Sequence, residues 1–255
     1  MKYLIVEPRT LIVSRESGSR PFGVDAERVA PLVRRIVAAG ADWRGLHIFA
    51  GSQALAAEAV IEAQAATVAL AARVAHEADV MPPTVNLGGG FGIPYFAGEG
   101  ALDVERVGDA LGELLAARPV VLGQTRFALE LGRWLVGEAG VYLTRIVDRK
   151  ESRGETFLVT DGGLHHQLAA SGNFGTVVRR NYPIAVANRF DAAAEEVVTV
   201  VGCLCTPLDR LGDGVALPRA DVGDIIAIFM AGAYGATASP QAFLGHPAPG
   251  EMISG

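Results

Sequence analysis

Short apolar runs alternate with stretches of helical period through the first half of the chain. Tyr3-Leu4-Ile5-Val6 reads as a buried strand, and residues 7–24, punctuated by Pro8, Gly18, Pro21 and Gly23, read as loop. Leu32, Val33, Ile36 and Val37 recur at the helical spacing, which predicts a helix starting near Pro31 and stopping at Gly40. Leu46-His47-Ile48-Phe49-Ala50 is a short strand, followed by an alanine-rich helix over 54–78. Val85-Asn86-Leu87 is a strand that runs into three glycines. Asp103 suits the N-cap of a helix ending near Ala117, and Phe127-Ala128-Leu129-Glu130 is the next strand.

From Trp134 the pattern changes. Val136 to Asp148 reads as one long strand. The turn Ser152-Arg153-Gly154 then leads into Thr156 to Thr160, a hairpin. Val197 to Val201 and Ile225 to Met230 are further strands, and no long helical pattern follows residue 190. Strand–helix alternation with buried strands predicts a parallel α/β part over residues 1–135, and the strand-rich remainder an all-β domain over 136–255.

Composition narrows the chemistry. The chain has 255 residues, half of them hydrophobic, so it can bury a sizeable core. The net charge of −6 and the lack of a basic run argue against nucleic acid or an anionic membrane surface. No leader pattern and no apolar run of ~20 residues is present, which predicts a cytoplasmic protein. Cys203 and Cys205 are too close along one strand for an unstrained disulfide, and two such ligands alone do not make a zinc site.

The candidate chemistry falls where the predicted parallel strands end: Phe49 and Ser52, then Gly88, Gly89 and Gly90, then Glu130 and Arg133. Strand C-termini carry the site in barrel and open α/β folds alike. A glycine-rich loop after a strand offers amides to an anion, although it serves equally as a tight turn. A dinucleotide fingerprint does not fit, because Ile93 and Pro94 stand where its third glycine and helix would be. Read singly, Arg133 suits a surface salt bridge and Glu130 a turn cap.

Five motifs occur in order: Gly51-Ser52-Gln53, Gly88-Gly89-Gly90-Phe91, Glu130-Leu131-Gly132-Arg133, Gly202-Cys203-Leu204-Cys205 and Ala231-Gly232-Ala233-Tyr234-Gly235. Together they resemble the pyridoxal-phosphate-dependent decarboxylases of ornithine, diaminopimelate and arginine. The wording around them is similar to members found with bacterial exosortase and exopolysaccharide systems. The resemblance implies an alanine-racemase-like (β/α)8 barrel followed by a C-terminal β domain, a homodimer with shared sites, and a small amino-acid substrate. It also assigns roles. Ser52, Gly88, Gly89, Gly90, Arg133 and Tyr234 would hold the cofactor phosphate. Gly132 lies in the same motif, and Glu130 would pair with the pyridine nitrogen. Cys205 would return the proton in the partner subunit's site, with Cys203 as core.

Several positions depart from that pattern. Phe49 stands where the family has a histidine on the cofactor ring; it can stack but not carry charge. Thr206 replaces the acid that meets a basic substrate tail, with Asp209 as a candidate substitute or a turn residue. His165 and His166 fit local structure better than ligation. The two lysines, Lys2 and Lys150, match no Schiff-base lysine motif. A full barrel needs ~250 residues, whereas about 135 precede the β domain, so four barrel strands from its later half are expected. The chain is therefore expected to be a fragment, inactive alone, or a non-catalytic homologue that pairs with an active one. A racemase of the same fold is a third reading, opposed by Glu130 where racemases place an arginine.

Overall fold

The computed structural model describes residues 10–14, 23–172 and 179–254, the first stretch as backbone only. The expected strand at Tyr3-Leu4-Ile5-Val6 and Lys2 lie outside these residues. Two compact units emerge. One comprises residues up to Ile93 with Gly100–Gly132, the other Pro94–Glu99 with Arg133–Gly255.

The first unit is a parallel sheet with helices. Its strands are β1 (Thr10–Ser14), β2 (Val24–Asp25), β3 (Gly45–Phe49), β4 (Thr84–Asn86) and β5 (Arg126–Ala128), in the order β2-β1-β3-β4-β5. The register places Leu46, Val85 and Phe127 abreast, so β4 and β5 end at one level and β3 runs two residues past it to Phe49. β1 corrects the reading of residues 7–24 as loop. Pro8 and Gly18 flank a run rich in β-branched residues, Thr10-Leu11-Ile12-Val13, and do not interrupt it.

Helix α1 (Ala26–Ala38) begins five residues before the expected start at Pro31. Ala26 to Ala30 are compatible with helix, and Pro31 removes only the one bond that its amide would make to Glu27. Helix α2 (Ala57–Ala78) ends with Asp79 in the left-handed region, and the Val80 amide reaches back to the Ala75 carbonyl. Asp103 caps α3 (Val104–Ala116) as expected, its Oδ1 accepting from the Arg106 amide at 3.0 Å. Val29 and Val33 of α1 and Val68, Ala71 and Val74 of α2 cover Leu46, Ile48 and Val85 of the sheet. No helix among the described residues is long and apolar enough to cross a membrane.

The second unit is a six-stranded sheet. It contains β6 (Tyr142–Ser152), β7 (Glu155–Thr160), β8 (Ile184–Val186), β9 (Glu196–Val201), β10 (Arg210–Leu217) and β11 (Ile225–Ile228), in the order β10-β9-β7-β6-β11-β8. All pairs are antiparallel except β7 with β9. The end strands β10 and β8 touch, so the sheet is a nearly closed barrel around Ile146, Leu158, Val198, Leu211 and Ile226. The expected long strand from Val136 starts only at Tyr142. Helix α4 (Gly132–Val136) and a turn over 137–139 precede it, and Gly140 packs directly on the Gly232 backbone. The 152–154 hairpin forms as expected, with Arg153 and Gly154 both at positive φ.

Candidate functional site

In the first unit the candidate residues lie at or just beyond the C-terminal ends of β3, β4 and β5. Asn86, the last residue of β4, organises them. Its Oδ1 accepts the Gly88 amide at 2.8 Å, and its Nδ2 donates to Glu130 Oε1 at 2.9 Å. His47 is the register partner of Asn86 on β3, and its Nε2 lies 3.1 Å from Glu130 Oε2, without the alignment of a hydrogen bond. The Glu130 amide in turn donates to the Gly88 carbonyl at 2.9 Å. The carboxylate is thus held by main chain and side chain together.

The glycine loop is explained first by packing. Gly88 and Gly90 have positive φ. A Cβ on Gly88 would sit 2.8 Å from the Ile48 carbonyl oxygen, and one on Gly89 or Gly90 would collide with the Glu130 or Gly51 carbonyl. The Gly88 amide is taken by Asn86. Among the described residues the amides of Gly89 and Gly90 have no partner, and both residues are only partly buried. Two adjacent open amides remain for an anion. Phe49 is 39% exposed at the end of β3 and Ser52 is exposed in the loop beyond it, so both side chains are accessible.

In the second unit the guanidinium of Arg133 lies over two tyrosine rings, 4.7 Å from the centroid of Tyr234 and 5.4 Å from that of Tyr95. Tyr234 has a positive φ and is partly exposed, on a loop whose Gly232 fits against the Val136 carbonyl without room for a Cβ. Tyr95 is buried, and its ring centroid is 4.9 Å from that of Tyr182. Burial raises the Tyr95 phenol above its ordinary range, and Arg133 opposes that rise. Burial also raises Tyr182, with Tyr95 adding to the effect. Both phenols stay neutral beside the cation.

Cys205 is exposed in the turn after β9, and Cys203 is half-buried, so the latter is not a core residue. Thr206 Oγ1 accepts the Leu208 amide at 3.3 Å and shapes the turn. Asp209 has a structural occupation. It is 2% exposed, and its two oxygens accept the Leu164 amide at 2.6 Å and the Leu204 amide at 2.8 Å. Gly163 and Gly202 press on that carboxylate so closely that neither position has space for a Cβ. Lys150 is exposed on β6.

The sequence profile described as pyridoxal-dependent decarboxylase, C-terminal sheet domain, matches residues 32–232. The chain belongs to this decarboxylase family. Among curated relatives, L-glutamyl-[BtrI acyl-carrier protein] decarboxylase of Niallia circulans is 40% identical over 213 residues, covering 82% of this chain and 50% of the relative. Diaminopimelate decarboxylase of Archaeoglobus fulgidus is 34% identical over 210 residues, covering 82% of this chain and 48% of the relative. The crystal structure of diaminopimelate decarboxylase from M. jannaschii with L-lysine superposes with a TM-score of 0.76 at 25% identity, over 91% of this chain and 52% of that one. The chain spans about half the length of the curated relatives it matches.

Within this decarboxylase-family chain, the partners of the predicted residues were not legible as site residues. Asn86 and His47 around Glu130, and Tyr95 and Tyr182 near Arg133, carry no motif. Asn86 had one signal: an Asn ending a strand before glycines is a turn-former whose side chain seeks a nearby amide.

Proposed function

We propose that this chain is the later half of a (β/α)8 barrel with the C-terminal β domain of a pyridoxal-phosphate-dependent amino-acid decarboxylase. Residues 1–135 belong to the barrel and 136–255 to the β domain. The observation that carries the reading is the strand-end cluster, where two open glycine amides flank a carboxylate fixed by Asn86. Those donors suit a phosphate, and that carboxylate suits a protonated ring nitrogen, so the residues fit pyridoxal phosphate.

When bound, the cofactor supplies a sink for the electron pair left by departing carbon dioxide. The chain supplies everything around that sink. The Gly89 and Gly90 amides and Ser52 would meet the phosphate, with Gly88 and Gly132 shaping their loops, and the family resemblance gives Arg133 and the Tyr234 hydroxyl of the second unit the same task. Arg133 suits this task because its planar donors match phosphate oxygens. Glu130 holds the proton on the ring nitrogen, and Phe49 stacks on the ring. Cys205 delivers a proton to the substrate α-carbon in a partner subunit's site.

Thr206 bears on the substrate. It leaves a basic tail without a carboxylate partner, and Asp209 is occupied by backbone amides. That favours an amino acid without a distal ammonium. A carrier-linked amino acid, as in the name of the Niallia circulans relative, fits this better than ornithine or diaminopimelate.

Equilibrium dialysis with pyridoxal phosphate tests the reading. Saturable binding of one equivalent is expected, weakened at least tenfold by Arg133→Ala or Glu130→Gln. Borohydride should fix no stoichiometric adduct to Lys2 or Lys150, and the chain alone should release no carbon dioxide from amino acids. Absence of saturable binding, or a stoichiometric adduct on either lysine, would overturn it. A second reading is a non-catalytic partner of an active homologue, which keeps the strand-end cluster but departs from the family's pattern at Phe49. Co-purification with a full-length decarboxylase separates the two.

A further inference from the structure

Away from the residues given to the decarboxylase reading, three segments of the second unit bring nitrogen and sulfur donors together. His165 follows β7, Cys203 follows β9, and His246 lies in the C-terminal segment. One donor atom from each falls within 4.8 Å of both others, and Cys203 Sγ is 3.6 Å from His246 Nδ1. A thiolate and an imidazole bound tetrahedrally to zinc, at about 2.3 and 2.1 Å, are themselves about 3.6 Å apart. That edge of the site already has the right length, and closing the remaining separations takes side-chain shifts of about an ångström.

His165 is the independent pointer. It is fully buried, and among the described residues neither of its ring nitrogens has a hydrogen-bond partner. Such a group costs free energy unless something else engages it. Its neighbour His166 shows the contrast: its Nδ1 is 3.1 Å from the Tyr142 hydroxyl and its Nε2 is 2.8 Å from the Pro247 carbonyl. His166 is satisfied; His165 is not.

We propose that His165, Cys203 and His246 form a binding site for a zinc-type divalent cation that ties the post-β7 and post-β9 loops to the C-terminal segment. Nitrogen and sulfur donors select a borderline-soft ion over magnesium or calcium. The surroundings are suitably prepared. Burial, and then the charge of His166 and His246, hold His165 down to about 4, so it is a neutral imidazole with a lone pair to give. Cys203 is raised by burial first, then by Asp209 and Asp161, so without metal it is a thiol, its Sγ 3.4 Å from the Asp161 carbonyl. Binding exchanges that contact for a metal–sulfur bond and releases the thiol proton to solvent. The Asp209 carboxylate, which disfavours a bare thiolate, favours the added cation. With three protein donors, water completes the tetrahedron.

The test uses the full chain stripped with chelator and reloaded. One equivalent of Zn2+ should survive gel filtration and raise the melting temperature. The Co2+ form should show a thiolate-to-cobalt charge-transfer band and tetrahedral ligand-field bands. Cys203→Ser should abolish the charge-transfer band, and His246→Ala should weaken retention at least tenfold, each at unchanged circular dichroism. Cys205→Ser should leave the band in place. A wild-type chain that retains no zinc, a band that follows Cys205 and not Cys203, or retention unaffected by His246→Ala would each overturn the proposal. If Cys203→Ser does not fold, the His246 variant alone decides. Pyridoxal phosphate enters none of these measurements, so they stand or fall apart from the decarboxylase reading.

Discussion

Asn86 does two jobs with one amide group, and each has a measurable consequence. Replacing it by alanine frees the Gly88 amide and removes the donor that fixes Glu130. Asn86→Ala should therefore weaken pyridoxal phosphate binding about tenfold, through loss of position and not of charge; titration against the wild type checks this. Asn86→Asp keeps the acceptor for Gly88 but sets a second carboxylate against Glu130, so it should bind more weakly still. Gly89→Ala tests the packing account of the loop. Its Cβ has no space before the Glu130 carbonyl, so it should cost about 2–4 kcal/mol of stability in urea denaturation, with or without cofactor. At this scale the sequence revealed residue types better than residue jobs. Gly88, Gly89 and Glu130 were visible as candidates. That Asn86 would turn its side chain back on Gly88 had a local signal, but that its Nδ2 meets Glu130 was invisible, because it depends on where a neighbouring strand ends. Asp209 is a further case: as sequence it is an acid near a cysteine, and only the fold shows its carboxylate filled by two amides.

At the scale of elements, Gly108 and Gly112 lie on the exposed side of α3, where added methyls meet nothing. Gly108→Ala and Gly112→Ala should each stabilise the chain by about 0.5–1 kcal/mol, read by denaturation, because alanine gives up less backbone entropy in a helix. In the second unit Arg149 of β6 reaches across β7 to Glu196 of β9. Its two nitrogens lie 2.8 and 2.5 Å from the carboxylate oxygens, and one also donates to the Ala220 carbonyl at 2.9 Å. The Arg149 hydrogen bonds outweigh burial and hold Glu196 below its ordinary range. A depressed acid stabilises the fold above its unfolded pKa, about 4.3, and this stabilisation fades as pH falls through the lower folded value. Glu196→Gln should cost about 1–3 kcal/mol at pH 7, and its deficit should shrink steadily below about pH 4.3. Element type was largely legible from periodicity: the α2 pattern, the Asp103 cap and the 152–154 hairpin all stand where their residues put them. Element edges were not. Pro31 lies inside α1, since its cost is one bond, and β6 starts late because Gly137 and Gly140 bend the chain first.

For the molecule as a whole, the decisive feature is the open edge of the parallel sheet. Among the described residues β5 pairs only with β4. The amides of Arg126 and Glu130 point to β4 and its flanks, as does the Ala128 carbonyl, which accepts from Leu87. By alternation the polar groups of Phe127 and Leu129 face the other way. Such an edge is a template for a further strand, and Leu129 adds exposed apolar surface beside it. On the half-barrel reading this is where a longer relative would continue the barrel. The chain alone should therefore associate with a second copy as its concentration rises, seen as a growing sedimentation coefficient. Leu129→Pro deletes an amide that serves no bond to β4, so it should reduce that association at unchanged circular dichroism. If the variant associates as strongly as the wild type, the β5 edge is not the contact. The outward face of β6, where Leu143 and Val147 are exposed, would then be the surface to alter.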